Sequence, residues 1–237
     1  MNSLRNRSYE KELLDATDIP FDDIRQNMKE LDTVNRLLGG HAISISGLKK
    51  LTGSWPKERR ISICEIGCGG GDNLHALSEY CKKNNINATF TGIDIKPACI
   101  SYAKEQYPGM QATWITSDYA SIEFSITRPT IIFSSLFCHH FNEQDLQMML
   151  QWMHRNSSLG FFINDLQRHP LAFYSIKILT SLFSKSYLVK HDAPLSVARG
   201  FTKTEWQQLF EKAKLKQFSV HWKWAFRHLV ICKHEQG

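Results

Sequence analysis

Apolar residues along this 237-residue chain follow two regimes. Up to residue 57 the sequence is polar, with Ile24, Met28, Leu31, Val34 and Leu38 at three- and four-residue steps, which predicts an amphipathic helix. Gly39-Gly40 stops that helix and Trp55-Pro56 marks a further boundary. From residue 60 onward short apolar runs alternate with helical segments. Runs at 60–66, 89–95, 112–117, 130–137 and 160–165 read as buried strands. Helices are expected over 72–83, from Pro97 to Tyr107, after the capping residue Asn142, and from the capping box Thr202-Lys203-Thr204-Glu205 to about Lys214. Two closing strands near 217–222 and 225–232 form a hairpin, whereas 169–200 leave the alternation as an inserted helical and loop segment. Strands alternating with helices require a mostly parallel sheet covered on both faces. The expected organisation is an N-terminal helical extension or lid over 1–57, then an α/β domain over 58–237 with the insertion at about 169–200.

Composition narrows the function classes. Hydrophobic residues at 42% and charged residues at 22% are ordinary for a globular chain. The net charge of +6, from 29 Lys and Arg against 23 Asp and Glu, is spread along the chain and not gathered into a patch. Nucleic acid is therefore not an expected partner. The six cysteines include no Cys-x-x-Cys pair and read as reduced, buried thiols. No apolar signal segment follows Met1, and the run at 171–183 contains Lys177 and is too short to span a bilayer. A cytoplasmic protein without a membrane span is the expectation.

The chemistry concentrates in Glu65-Ile66-Gly67-Cys68-Gly69-Gly70-Gly71, at the end of the first strand. Glycines that open a helix bring backbone N–H groups to a polar ligand, because no Cβ holds it off. A nicotinamide-binding loop would carry its third glycine at position 72, where this chain has Asp72. The loop resembles motif I of class I S-adenosylmethionine-dependent methyltransferases. Gly92-Ile93-Asp94-Ile95, Ser117-Asp118-Tyr119 and Ser134-Ser135-Leu136-Phe137 resemble the three strand-end motifs that follow it in that superfamily. The resemblance implies a Rossmann-like, doubly wound, mostly parallel seven-stranded sheet with an antiparallel closing strand, and S-adenosyl-L-methionine as cofactor, leaving as S-adenosyl-L-homocysteine. It places Glu65, Gly67, Gly69 and Gly71 at the methionine end, Asp94 on the ribose hydroxyls, and Asp118 and Tyr119 at the adenine. Ile95 and Leu136 flank the ring, and Ser134 belongs to the strand end below the sulfonium.

The acceptor side is less defined. A hydroxyl acceptor needs alignment and gains from a base. His139 and His140, after the fourth strand, and His169 are the candidate catalytic residues, each with a packing role as its alternative. Phe137, Asp165, Arg168, His191 and Arg199 are candidate substrate contacts, the last two within a polar run at 190–201 that reads as a lid. With the N-terminal stretch around Ile19-Pro20-Phe21, the insertion resembles bacterial small-molecule methyltransferases related to quinone-pathway enzymes and associated with phenolic polyketides. That resemblance implies O-methylation of a phenolic or quinone-like hydroxyl on an aromatic or apolar small molecule. An RNA or protein methyltransferase is the first alternative, given the positive charge and the tryptophans; a nicotinamide oxidoreductase is the second. No metal is expected, since no trio of carboxylates assembles around Asp165. Monomer and homodimer both fit the amphipathic N-terminal helix.

Overall fold

The computed structural model describes residues 4–16, 18–53, 59–124 and 127–234, so the Trp55-Pro56 boundary lies outside the described residues. In chain order the elements are α1 (Phe21–Leu37), α2 (Gly40–Thr52), β1 (Ile61–Ile66), α3 (Asp72–Lys83), β2 (Ala88–Asp94), α4 (Pro97–Gln106), β3 (Ala112–Thr116), β4 (Ile131–Ser135) and α5 (Glu143–Asn156). They continue with β5 (Gly160–Leu166), α6 (Pro170–Phe183), α7 (Tyr187–Arg199), α8 (Lys203–Lys212), β6 (Phe218–Lys223) and β7 (Arg227–Lys233). Short 3-10 turns at Leu13–Asp15, Tyr119–Ser121 and Cys138–His140 punctuate the loops.

One seven-stranded sheet runs in the order β3-β2-β1-β4-β5-β7-β6. β1 to β5 pair in parallel, and β7 enters antiparallel between β5 and β6. The fold is thus the doubly wound, Rossmann-like sheet with an antiparallel closing strand that the resemblance implies. Strand alternation sorts the core into two layers, because successive side chains point to opposite faces. Ile61, Ile63, Ile131, Phe133 and Phe162 face α2 and α3, where they meet Leu48, Leu74 and Leu77. Cys64, Ile66, Ile132, Phe161 and Ile163 face α5 and α8, against Met149, Leu150, Trp206 and Phe210. Gly47 lets α2 lie directly on the sheet, since a Cβ there would sit 2.6 Å from the Phe162 ring.

Local signals set several helix starts. Asn142 accepts from Asp145 N at 3.0 Å, and Thr202 and Glu205 form the reciprocal capping box. The polar run at 190–201, within the inserted helical and loop segment, is mostly the helix α7, with Pro194 inside it. Ser186 caps its start by accepting from Val189 N. The helix buries Leu188, Val189 and Val197 despite its polar surface. α6 is the reverse case: Leu171, Tyr174, Ile178, Leu182 and Phe183 remain exposed.

Strand order reverses between β1 and β4, which opens a crevice at the carboxyl ends of the strands. The N-terminal residues cross this edge. Ser8 N donates to Ala198 O, Lys96 Nζ donates to Ala16 O, and Leu13 and Leu14 donate to Asp192. α1 then packs Ile24 and Met28 against Cys99 and Tyr102 of α4.

Candidate functional site

The glycine loop occupies the crevice. Gly67, Gly69 and Gly71 have φ of +63°, +49° and +78°, conformations open to glycine and costly for other residues. Gly71 is the left-handed residue that starts α3. The loop is pinned to β2: Cys68 N donates to Ile93 O at 3.0 Å and Gly69 N to Asp94 Oδ2 at 2.8 Å. Asp94 Oδ1 accepts from Lys96 N at 2.8 Å. Each Asp94 oxygen therefore keeps further lone-pair capacity. Burial lifts the Asp94 carboxyl above its ordinary value, and the two backbone donors act against that.

Glu65 ends β1 only 1% exposed, with Oε2 buried and unpartnered. Burial, and then Asp72 and Asp94, push its carboxyl well above the usual range. Two more buried polar atoms without partners lie near this edge, Asn164 Oδ1 on β5 and Arg227 Nη1 on β7. Asn164 Nδ2 donates to Gly40 O at 3.0 Å and Arg227 Nη2 to Asn35 Oδ1 at 2.8 Å, which gathers both around the start of α2. A buried acceptor or donor left open is costly. Glu65 Oε2 and Asn164 Oδ1 are open acceptors and Arg227 Nη1 an open donor.

At the other side of the loop, Ile95 is 65% exposed and Asp118 is exposed, with its Oδ1 accepting from Ala120 N. Tyr119 packs edge-on against Phe137, Phe141 and Trp152. Ser134 is fully buried, its Oγ 3.4 Å from Cys138 Sγ. Leu136 takes a φ of +53°, and its N–H donates to Asn164 O. Phe137 lies so close to Gly67 that a Cβ on that glycine would stand 2.1 Å from its ring. Met28 of α1 lies over the loop, its Cβ 3.2 Å from where a Gly70 Cβ would be.

The histidines divide. His139 and His140 sit together in the turn after β4, ring centroids 4.4 Å apart. His139 is buried, with Nδ1 2.8 Å from Asp165 Oδ1 and Nε2 3.5 Å from Glu12 Oε1. Burial alone would depress its imidazole, but Asp165 and then Glu12 outweigh it and push it up to about 9. His140 is partly open; Nδ1 lies 3.1 Å from Asp15 Oδ1 and Nε2 3.8 Å from Glu12 Oε2. For Asp15, burial is outweighed by His140, the Glu12 N–H and Arg199, and its carboxyl falls to about 2. Arg199 braces the turn, donating from Nε to His139 O at 3.0 Å. Arg168 is buried in a two-point pair with Glu205 and also donates to Leu4 O and Gly200 O. His169 caps α6 and stacks on Phe226, and His191 is exposed beside Asp192. Thus His139, His140, Asp165 and Arg199 come together, whereas Arg168, His169 and His191 stand apart from the pair. Sequence reasoning missed Glu12, Asp15, Met28, Asn164 and Arg227. Met28 lay on the predicted apolar stripe; the others carried no local signal.

Residues 63–159 match the family described as a methyltransferase domain. No curated protein matches the chain. Among solved structures, the plantazolicin methyltransferase BpumL in complex with SAH is similar at a TM-score of 0.66 and 18% identity, over 91% of this chain and 89% of that one. The plantazolicin methyltransferase BamL, in complex with a triazolic desmethylPZN analog and SAH, gives 0.58 and 22%, over 83% and 68%. Magnesium protoporphyrin IX methyltransferase (ChlM) from Synechocystis PCC 6803 with bound SAM gives 0.54 and 13%, over 83% and 80%. Identities this low establish a shared fold.

Proposed function

We propose that this chain, an S-adenosylmethionine-dependent methyltransferase by its domain match over residues 63–159 and its class I fold, methylates a hydroxyl of a small aromatic or apolar molecule. The observation that carries the reading is the histidine pair after β4, held by carboxylates beside the ring that covers Gly67. The donor supplies an electrophilic methyl group on a sulfonium. Gly67 to Gly71 and the open atoms of Glu65, Asn164 and Arg227 fit its amino-acid end, and Asp94 has lone pairs left for its ribose. Ile95, Asp118 and Tyr119 form the adenine side.

Asp15 orients His140 through Nδ1, which turns Nε2 toward Glu12 on the acceptor side. Asp165 and Glu12 hold the His139 ring in the wall from its two nitrogens. The described part of the N-terminal extension, residues 4–16 and 18–53, acts as a cover over the donor, with Met28 on the loop, and 169–200 as a wall of the acceptor side. The apolar face of α6 supports an apolar acceptor. Among the described residues no helix is long and apolar enough to cross a membrane.

Calorimetric titration with S-adenosylhomocysteine, repeated on Asp94→Asn, tests the donor half. Binding should weaken by roughly 10- to 100-fold, the loss expected for one or two charge-assisted hydrogen bonds. Unchanged affinity in Asp94→Asn, or no binding by the folded wild type, refutes it.

A further inference from the structure

The sequence offered no metal site, because one of the residues needed lies far from the rest in the chain. Glu12 stands more than a hundred residues from His139 and His140, and the 3-10 turn at Leu13–Asp15 brings it onto them. We propose that Glu12 and the Nε2 atoms of His139 and His140 form a divalent transition-metal site, zinc-like in its donors, whose open position takes the acceptor oxygen.

Three independent features of the geometry support this. The first is spacing. Glu12 Oε1 lies 3.5 Å from His139 Nε2, and Oε2 lies 3.8 Å from His140 Nε2. The three groups offer ligand atoms all within 4.8 Å of one another. A tetrahedral centre with bonds of about 2.0–2.1 Å sets its ligands roughly 3.4 Å apart, and the two gaps to Glu12 lie close to that spacing. They are longer than a good hydrogen bond of about 2.9 Å.

The second feature is the outer shell. Metal-binding histidines donate their other ring N–H to a carboxylate, which fixes the tautomer and strengthens the ligand. Both histidines have that arrangement: Nδ1 of His139 meets Asp165 at 2.8 Å, and Nδ1 of His140 meets Asp15 at 3.1 Å. Two histidines with separate carboxylates behind them, both turning Nε2 toward one glutamate, make up a built donor set. A second cluster, Asp32, His41 and Asp72, lacks this feature: its single histidine already sits 2.7 Å from Asp72.

The third is position and access. Glu12 and His139 are buried and His140 is partly open, so the cluster has a closed side and an open one. Two histidines and one carboxylate leave a four-coordinate ion one free position, as catalytic zinc sites do. The ring of Phe137 lies between His140, at 6.4 Å between centroids, and Gly67 of the donor loop.

The site rests on the methyltransferase reading and deepens it. An acceptor hydroxyl at the open position becomes more acidic, as water does on zinc, and its proton passes to solvent. The resulting oxygen attacks the methyl carbon; the O–C bond forms, the C–S bond breaks, and the electron pair remains on sulfur as the neutral thioether. Ortho-hydroxylated phenols and enolised diketones, which can offer an oxyanion to the ion, are the matching acceptors.

The test uses the full chain, stripped with chelator and titrated with zinc by calorimetry, with cobalt absorption as the readout of ligand geometry. One equivalent should bind to wild type, with the visible bands of a four- or five-coordinate cobalt site. Glu12→Gln and His140→Ala should each weaken binding by more than 100-fold. Asp15→Asn, which weakens the carboxylate behind His140 and the bond to Glu12 N, should weaken it roughly 10- to 100-fold. His41→Ala should change nothing. Absence of stoichiometric zinc in folded wild type, or loss of binding in His41→Ala and not in Glu12→Gln, overturns the proposal. S-adenosylhomocysteine affinity is measured on the same samples. If that ligand binds and zinc does not, the metal site is wrong while the donor reading stands; if zinc binds and that ligand does not, the donor reading fails instead.

Discussion

Asp192 holds the N-terminal turn that carries Glu12 and Asp15, and its replacement by asparagine isolates that function. Its Oδ1 accepts from Leu13 N at 2.8 Å and its Oδ2 from Leu14 N at 2.9 Å, and the residue is 6% exposed. Hydrogen bonds to a charged, buried acceptor contribute about 1.5–3 kcal/mol each. Asparagine keeps one acceptor without its charge and turns an NH2 toward the other amide, so the local loss is about 2–4 kcal/mol. At about 1.4 kcal/mol per factor of ten, amide exchange at Leu13 and Leu14 should accelerate roughly 30- to 1000-fold. Ser8 N to Ala198 O and Lys96 Nζ to Ala16 O still tie the segment at either end, so the change should stay local. Hydrogen exchange followed by mass spectrometry resolves this, with peptides from β4 and β5 as the internal reference. Methyl transfer should fall with the loss of order, because the histidine pair loses its hold on Glu12 and Asp15. Unchanged protection at 13 and 14 would show that the cap is not what holds the turn. Equal loss of protection in β4 and β5 would show that Asp192 supports the whole domain and not this segment.

Two further outcomes follow from the site. Gly67→Ala places a Cβ 2.1 Å from the Phe137 ring at a φ of +63°, combining a left-handed penalty of about 1–2 kcal/mol with overpacking of about 1–3 kcal/mol. The variant should melt several degrees lower and lose S-adenosylhomocysteine binding; a variant that binds normally would contradict the close contact. His228 is buried on β7, and burial pushes its imidazole down to about 4. A folded value below the unfolded one, about 6.5, means its stabilising effect is present above pH 6.5 and is lost as pH falls toward 4. The full loss is on the order of 3 kcal/mol. Urea midpoints should drop across that window, and His228→Leu should flatten the drop; parallel curves for the two proteins would remove His228 as the cause.

The sequence by itself determined the frame and the donor side. Short apolar runs at 60–66, 130–137 and 160–165 marked buried strands, and the pleat then sends their successive side chains to the two faces of the sheet. The glycines and the acidic strand ends were legible for the same reason: each is a local requirement of a turn or a strand tip, written within a few residues. The exact bounds of α7 within the insertion were not legible, because its helix rests on the burial of Leu188, Val189 and Val197 against the rest of the chain despite Pro194 inside it. Tertiary structure alone decided which side chains meet at the proposed acceptor side. It turned Arg168 inward onto Glu205, separated His169 and His191 from the pair, and laid Glu12 and Asp15 on His139 and His140. A buried ion pair or a ligand cluster depends on distance in space between residues far apart in the chain, and no spacing along the chain encodes it.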